Sequence, residues 1–97
     1  MLITFSINGV PVRLTDERWQ HIVNRHPELE NKKEGVLNAV SNPELIQKGD
    51  FGTLIAIKSE VDRYLAVIYK EVSEVDGFII TAYYTKEFRR RLVAWKS

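Results

Sequence analysis

Five side chains in this sequence are suited to acid–base and phosphate chemistry: His21, His26, Arg63, Thr81 and Tyr83. Cleavage of RNA without a metal needs a base for the 2′-hydroxyl, an acid for the departing 5′-oxygen, and donors for the phosphate oxygens. Histidine suits the proton transfers because its ordinary pKa is about 6.5. Arginine stabilises phosphate charge. These residue types therefore predict metal-independent phosphodiester chemistry if the fold brings them together.

Three further cations are candidates for binding phosphate or RNA: Lys58, Lys86 and Arg89. Lys86 and Arg89 belong to a basic tail, because residues 86–97 contain five Lys or Arg and one acidic residue. The whole chain has 14 basic and 13 acidic residues, a net charge of +1, so any attraction for an anionic partner is local to this tail. A solvated basic surface is the alternative interpretation.

Each candidate also has an ordinary structural interpretation. His26 lies on the apolar stripe of a predicted helix, which is typical of a hydrogen-bonded or capping histidine. His21 belongs to a neighbouring polar stripe and could be a surface histidine. Thr81 and Tyr83 are common strand residues, and Arg63 could pair with an acidic residue on a neighbouring strand. The functional prediction therefore depends on the combination.

The composition predicts one α+β domain spanning residues 1–97, with enough hydrophobic residues (44%) for a core. The absence of cysteine excludes disulfides and thiolate metal sites, and the sequence suggests no carboxylate cluster, so we predict no metal and no cofactor. No run of 18 apolar residues and no secretory signal are present, which favours a cytoplasmic protein without a membrane span.

The predicted elements are an N-terminal hairpin, two helices packed on a curved antiparallel sheet of about four strands, and a basic C-terminal tail. Asn8-Gly9 between alternating runs indicates the hairpin, and Thr15 is suited to cap the first helix. The expected helices span 16–26 and 30–41, and the expected strands span 44–47, 53–58, 63–70 and 78–85. Residues 86–95 fit either a helix or a strand. Alternation places Phe78, Ile80, Ala82 and Tyr84 in the core and Thr81, Tyr83 and Thr85 on an open face.

Four short motifs resemble small proteins of the barnase–EndoU–colicin E5/D–RelE (BECR) nuclease superfamily, in its phage- and mobile-element-associated branches. They are His21-x4-His26-Pro27, Asn42-Pro43-Glu44, Arg63-Tyr64-Leu65 and Ile80-Thr81-Ala82-Tyr83. The resemblance extends from about Leu14 to Trp95. It implies helices packed on a curved antiparallel sheet and the activity of a metal-independent, often toxic, ribonuclease.

The same resemblance implies residue roles and partners. His21 or His26 would be the helix-borne acid or base, Arg63 the basic residue that opens a strand, and Thr81 and Tyr83 the polar positions of the last core strand. Lys58 and Arg89 match phosphate-binding positions more weakly. RNA and a cognate inhibitor protein are the implied partners. Two alternatives stay open: a non-catalytic module that binds RNA or protein, and a homodimer formed through the N-terminal edge hairpin.

Overall fold

The computed structural model describes residues 1–88 and 92–97. Within this part of the chain, two helices and seven strands follow one another in a mixed order. The helices are α1 (Asp16–Arg25) and α2 (Lys33–Ser41). The strands are β1 (Leu2–Phe5), β2 (Pro11–Leu14), β3 (Leu45–Lys48), β4 (Leu54–Glu60), β5 (Arg63–Glu71), β6 (Gly77–Thr85) and β7 (Val93–Lys96).

The described strands form one sheet in the order β1-β2-β6-β5-β4-β3-β7. Every neighbouring pair is antiparallel except β2 and β6, which run parallel. The predicted α+β class is confirmed, but the expected uniformly antiparallel sheet of about four strands is wrong. The N-terminal hairpin and the chain end both join the central strands, and local sequence patterns identify strands without identifying their partners.

The residues that flank helix α1 determine where it begins and ends. The side chain of Thr15 accepts a hydrogen bond from the backbone N–H of Arg18 at 3.1 Å, and Asp16 and Glu17 lie in the first turn, near the positive end of the helix dipole. The helix ends at Arg25, since the residue before Pro27 is pushed out of the helical region. A short 3₁₀ turn, Pro27–Leu29, then leads to α2.

Both helices pack on the same side of the sheet, which we call the helix face. The main core lies between the helices and the sheet. It is formed by Val12, Leu14, Trp19, Ile22, Leu29, Val36, Ala39, Val40, Ala56, Leu65, Val67, Tyr69, Ile79 and Ala82. The opposite side, the open face, has a smaller cluster centred on Leu45, Ile57 and Ala66. The two faces therefore offer different surroundings to polar side chains.

An irregularity in β6 changes which of its side chains face the core. Ile68 is opposite Thr81, but its neighbour Tyr69 is opposite Ile79, so Ile80 is an extra residue in the pairing of β5 with β6. Ile79 is buried in the main core, whereas Ile80 lies along the open face. The prediction that Ile80 belongs to the core is wrong for this reason, while Ala82 is confirmed in the core.

At the chain end, Val93–Lys96 form a strand. β7 pairs antiparallel with β3, with Ile46 opposite Trp95. Arg89, one of the predicted phosphate-binding residues, lies outside the described residues. In the part of the chain that the structure describes, no helix is long and apolar enough to cross a membrane.

Candidate functional site

Four polar side chains lie on the helix face, at the end of the sheet where β4 and β5 join. Lys58 on β4 lies opposite Leu65 on β5, which lies opposite Tyr84 on β6. In the next row, Glu60 lies opposite Arg63. We call Lys58, Glu60, Arg63 and Tyr84 the rim. Leu65 is buried in the main core and Tyr84 packs against that core, so the rim is where the helix face opens to solvent.

Direct contacts hold Arg63, Tyr84 and Glu60 together. The guanidinium carbon of Arg63 lies 3.5 Å from the centroid of the Tyr84 ring, a cation–π contact. The Arg63 Nε is 3.6 Å from Oε1 of Glu60, and the Tyr84 hydroxyl donates a 3.4 Å hydrogen bond to Oε2. The Arg63 side chain is still 41% exposed. The stacked face of the guanidinium is thus occupied, while part of its donor edge remains open to solvent.

The electrostatics of the rim favour a protonated Tyr84. Burial is the main reason that the pKa of the Tyr84 phenol is raised, and the negative charge of Glu60 raises this pKa further. The positive charge of Arg63 lowers it. The carboxylate of Glu28 also contributes to the raised pKa. Glu28 comes from the 3₁₀ turn after α1. That turn therefore brings a second carboxylate close enough to affect the rim.

Lys58 connects the rim to α2. Its Nζ donates a 2.7 Å hydrogen bond to the backbone carbonyl of Asn42, the residue that ends α2. An ammonium group has three donors, and a carbonyl oxygen uses one of them. The hydrogen bond fixes the position of the charge, and Lys58 is only half-buried. Lys58 can therefore bind an anion at the rim from a defined position.

His26 and Tyr83 form a second contact, and Tyr83 itself lies on the open face, opposite Ala66. Their ring centroids are 6.2 Å apart and the rings are tilted by 36°. His26 ends α1, where its backbone N–H donates to the carbonyl of Ile22 at 2.8 Å, and it precedes Glu28 by two residues. Tyr83 directly precedes Tyr84 on β6, so the two side chains project from opposite faces of the sheet. His26 is half-buried, so its position combines the capping role and an accessible imidazole.

The other predicted residues lie elsewhere. His21 is exposed on α1 and shares a shallow surface depression with Thr15, Glu17 and Arg18. Thr81 belongs to a cross-strand row with Ile68, which lines the open face, so Thr81 and Arg63 are on opposite faces of the sheet. The structure therefore brings His26 and Tyr83 together but does not gather His21, Arg63 and Thr81 at one place.

Lys86 and the open face form a separate region. Lys86 is exposed beside Tyr64, Glu87 and Phe88. The open face contains a groove of about 610 Å³. Its lining includes four isoleucines, Ile55, Ile57, Ile68 and Ile80, together with Tyr83, Thr85 and the charged residues Lys48, Asp50 and Glu87. This groove offers apolar contact area, whereas Lys58, Glu60 and Arg63 lie at the rim on the other face.

Sequence reasoning missed Glu60 and Tyr84. Glu60 is separated from Arg63 by only two residues, so a tight turn between β4 and β5 could have indicated that the two side chains face each other. Tyr84 was expected in the core, and it does pack there with its ring. The position of its hydroxyl at the solvent edge depends on the length of β6 relative to β5, and residue types alone do not reveal that length.

Within residues 1–88 and 92–97, no group of three or more His, Asp or Glu side chains is placed to hold a metal ion. Comparisons with protein-family models, with curated proteins and with solved structures found no match. The functional argument therefore depends on the geometry of the rim.

Proposed function

We propose that this chain is a metal-independent endoribonuclease of the cytoplasm, toxin-like in character, that cleaves RNA at the rim. The observation that supports the proposal is the stacking of Arg63 on Tyr84 beside Glu60, with Lys58 in the adjacent row. A phosphodiester placed there would meet two cations and a phenol donor. The BECR-like motifs in the sequence favour the same chemistry.

The proposed reaction is a transfer within the RNA. A base removes the proton of the 2′-hydroxyl, the 2′-oxygen attacks phosphorus, and the 5′-oxygen leaves with a proton from an acid. The products are a 2′,3′-cyclic phosphate and a 5′-hydroxyl. We assign one proton transfer to Glu60, which lies at the rim, and the other to His26, which directly precedes the turn that brings Glu28 close to Tyr84. Arg63 and Lys58 stabilise the phosphate oxygens, and Tyr84 donates a hydrogen bond.

The test is cleavage of total RNA by the purified protein in EDTA, followed by analysis of the new ends. The wild type is expected to leave cyclic phosphates. Arg63→Ala should lower the rate about 10²- to 10³-fold, by loss of one charge-stabilising donor. His26→Ala should lower it about 10²- to 10⁴-fold, by loss of one proton-transfer group.

His21→Ala is the matched control, because it removes the other histidine from an exposed position away from the rim. It should retain wild-type cleavage. The proposal fails if the wild type does not cleave RNA, or if all three variants cleave equally. Circular dichroism of each variant separates a lost activity from a lost fold.

A second candidate is a non-catalytic module that binds RNA or a protein, and the ion pair of Arg63 with Glu60 favours it. A guanidinium already paired with a carboxylate attracts phosphate less strongly than a free one. This candidate predicts binding without turnover, weakened by salt when phosphates dominate. A toxic nuclease would instead arrest growth on expression, and a cognate inhibitor protein would be its expected partner.

A further inference from the structure

The outer edge of β1 is apolar and accessible. Leu2, Ile3 and Phe5 are 42%, 52% and 58% exposed, although they lie in a regular strand. Thr4, on the same face as Leu2, donates a 3.0 Å hydrogen bond to the carbonyl of Leu37 on α2, so this is the helix face. Ile3 and Phe5 therefore project from the open face. β1 has β2 as its neighbour on one side, and none of the described strands pairs with its other side.

The opposite edge of the sheet has the features that usually prevent strand addition. β7 carries Lys96, and its pairing with β3 shifts register between Ile46 and Gln47. Lysine and irregular pairing are common protections of an edge strand. β1 has regular pairing with β2 over all four of its residues and contains no charge. Residues 1–12 contain no charged side chain at all.

We propose that β1 is a homodimer interface, in which it pairs antiparallel with β1 of a second copy about a two-fold axis through Thr4. In this register Thr4 lies opposite Thr4 of the other copy, and Ile3 lies opposite Phe5. An aromatic residue opposite a β-branched residue is a favourable cross-strand pair. A two-fold axis perpendicular to the sheet also keeps the helices of both copies on the same side.

The segment is self-complementary in charge as well as in side-chain type. Two copies can pair along β1 without bringing like-charged side chains together, because residues 1–12 contain none. The N-terminal ammonium of Met1 is paired with Asp16 of its own chain at 3.6 Å. Burial of Ile3 and Phe5 against each other would remove apolar surface that the single chain leaves in water. The rim lies on β4, β5 and β6, so it stays open in the dimer. The inference does not depend on ribonuclease activity.

The first experiment measures mass by light scattering coupled to gel filtration. The wild type should have twice the mass of one chain, and Phe5→Lys should shift it to the mass of one chain, since lysine on an edge strand opposes pairing. Val75→Lys is the matched control, because it places the same charge at another apolar residue, 79% exposed, in the loop between β5 and β6. It should remain dimeric.

The second experiment tests the register with single-cysteine variants in a chain that has no native cysteine. A mixture of Ile3→Cys and Phe5→Cys should form a disulfide-linked dimer when oxidised with diamide, because these residues are directly opposite in the proposed pairing. Ile3→Cys alone should link far less, since the two Ile3 side chains are diagonal neighbours, about 7–8 Å apart.

Three results would overturn the proposal. The first is a wild type with the mass of one chain at every concentration. The second is a dimer that persists in Phe5→Lys. The third is efficient linking by Ile3→Cys alone, which would contradict pairing centred on Thr4.

Discussion

The Tyr69 hydroxyl is a polar group in the hydrophobic core. The residue is fully buried in the main core, and among the described residues its oxygen has no hydrogen-bond partner. Burial raises the pKa of this phenol far above its ordinary value, and the charge of Glu71 adds to the effect. An unpaired buried hydroxyl costs free energy, so it lowers the stability of the folded chain.

Tyr69→Phe should therefore stabilise the protein. The variant keeps the ring and its packing and removes only the oxygen, so the free energy of unfolding should rise by about 1 kcal/mol. Urea denaturation monitored by circular dichroism measures this change. Tyr69→Ala is the comparison. Its free energy of unfolding should fall by about 3–5 kcal/mol, because loss of the ring leaves a cavity in the core. A clear loss of stability in Tyr69→Phe would mean that the hydroxyl does have a partner.

At the residue level, the sequence predicted the local roles of single residues better than the contacts between residues that are distant in the chain. Thr15 caps α1 as expected, and Arg63 opens its strand as expected. The proximity of His26 to Tyr83, by contrast, depends on where α1 ends relative to β6. The contact of Arg63 with Tyr84 depends on the pairing of β5 with β6. Such distances follow from tertiary packing, and short sequence motifs contain no information about that packing.

At the scale of the elements, Gly77 permits the junction of β6 with both of its neighbours. A Cβ atom at Gly77 would lie 2.7 Å from the backbone carbonyl oxygen of Lys70 and 3.4 Å from that of Pro11. The first atom belongs to β5 and the second to β2, so glycine lets three strands approach closely at this point. Neither contact involves a flexible side chain that could move away.

Gly77→Ala should therefore destabilise the protein by about 1–3 kcal/mol, in the range of overpacked positions. Gly35→Ala is the control, because a Cβ atom there meets nothing within 4 Å and the position lies inside α2. That variant should gain about 1 kcal/mol, since alanine favours a helix over glycine. Thermal and urea denaturation would show the two opposite shifts. Equal effects of the two substitutions would contradict the close approach at Gly77.

The elements themselves were largely predictable, and their arrangement was not. Asn8-Gly9 marked the hairpin, and the β-branched runs marked β5 and β6 within about one residue. The extra residue Ile80 could not be found by alternation, since Ile79 and Ile80 are equally apolar. The parallel pairing of β2 with β6 joins residues more than sixty positions apart, as in Val12 with Gly77. Local periodicity contains no information on such a contact.

At the scale of the whole molecule, the sheet consists of two parts that meet at a short junction. The β1–β2 hairpin joins the remaining strands through two parallel residue pairs, Val12 with Gly77 and Arg13 with Phe78. Polar contacts reinforce this junction. Arg13 forms two hydrogen bonds of 3.0 Å with the carboxylate of Asp76, and Ser6 and Asn8 donate to that of Glu71. Charge at the junction thus helps to hold the proposed dimerisation strand in place.

Acid should therefore weaken the attachment of the hairpin. The hydrogen bond from Arg13 lowers the pKa of Asp76 below its ordinary value of 3.8. The unfolded chain thus binds the proton more readily than the folded chain. The stabilisation by this group is fully present above the unfolded pKa, and it disappears as the pH falls through the lower folded value.

Hydrogen exchange of the β1 and β2 amides across this acidic range measures the effect, with β4 and β5 amides as internal reference. In the wild type, protection of the hairpin should fall more steeply with acid than protection of β4 and β5. In Asp76→Asn, which cannot titrate, hairpin protection should already be reduced at neutral pH and should change less with acid. The same steep acid dependence in both proteins would place the sensitive group elsewhere, with the carboxylate of Glu71 as the next one to substitute. It would also show that the Arg13–Asp76 pair does not control how the hairpin joins the sheet.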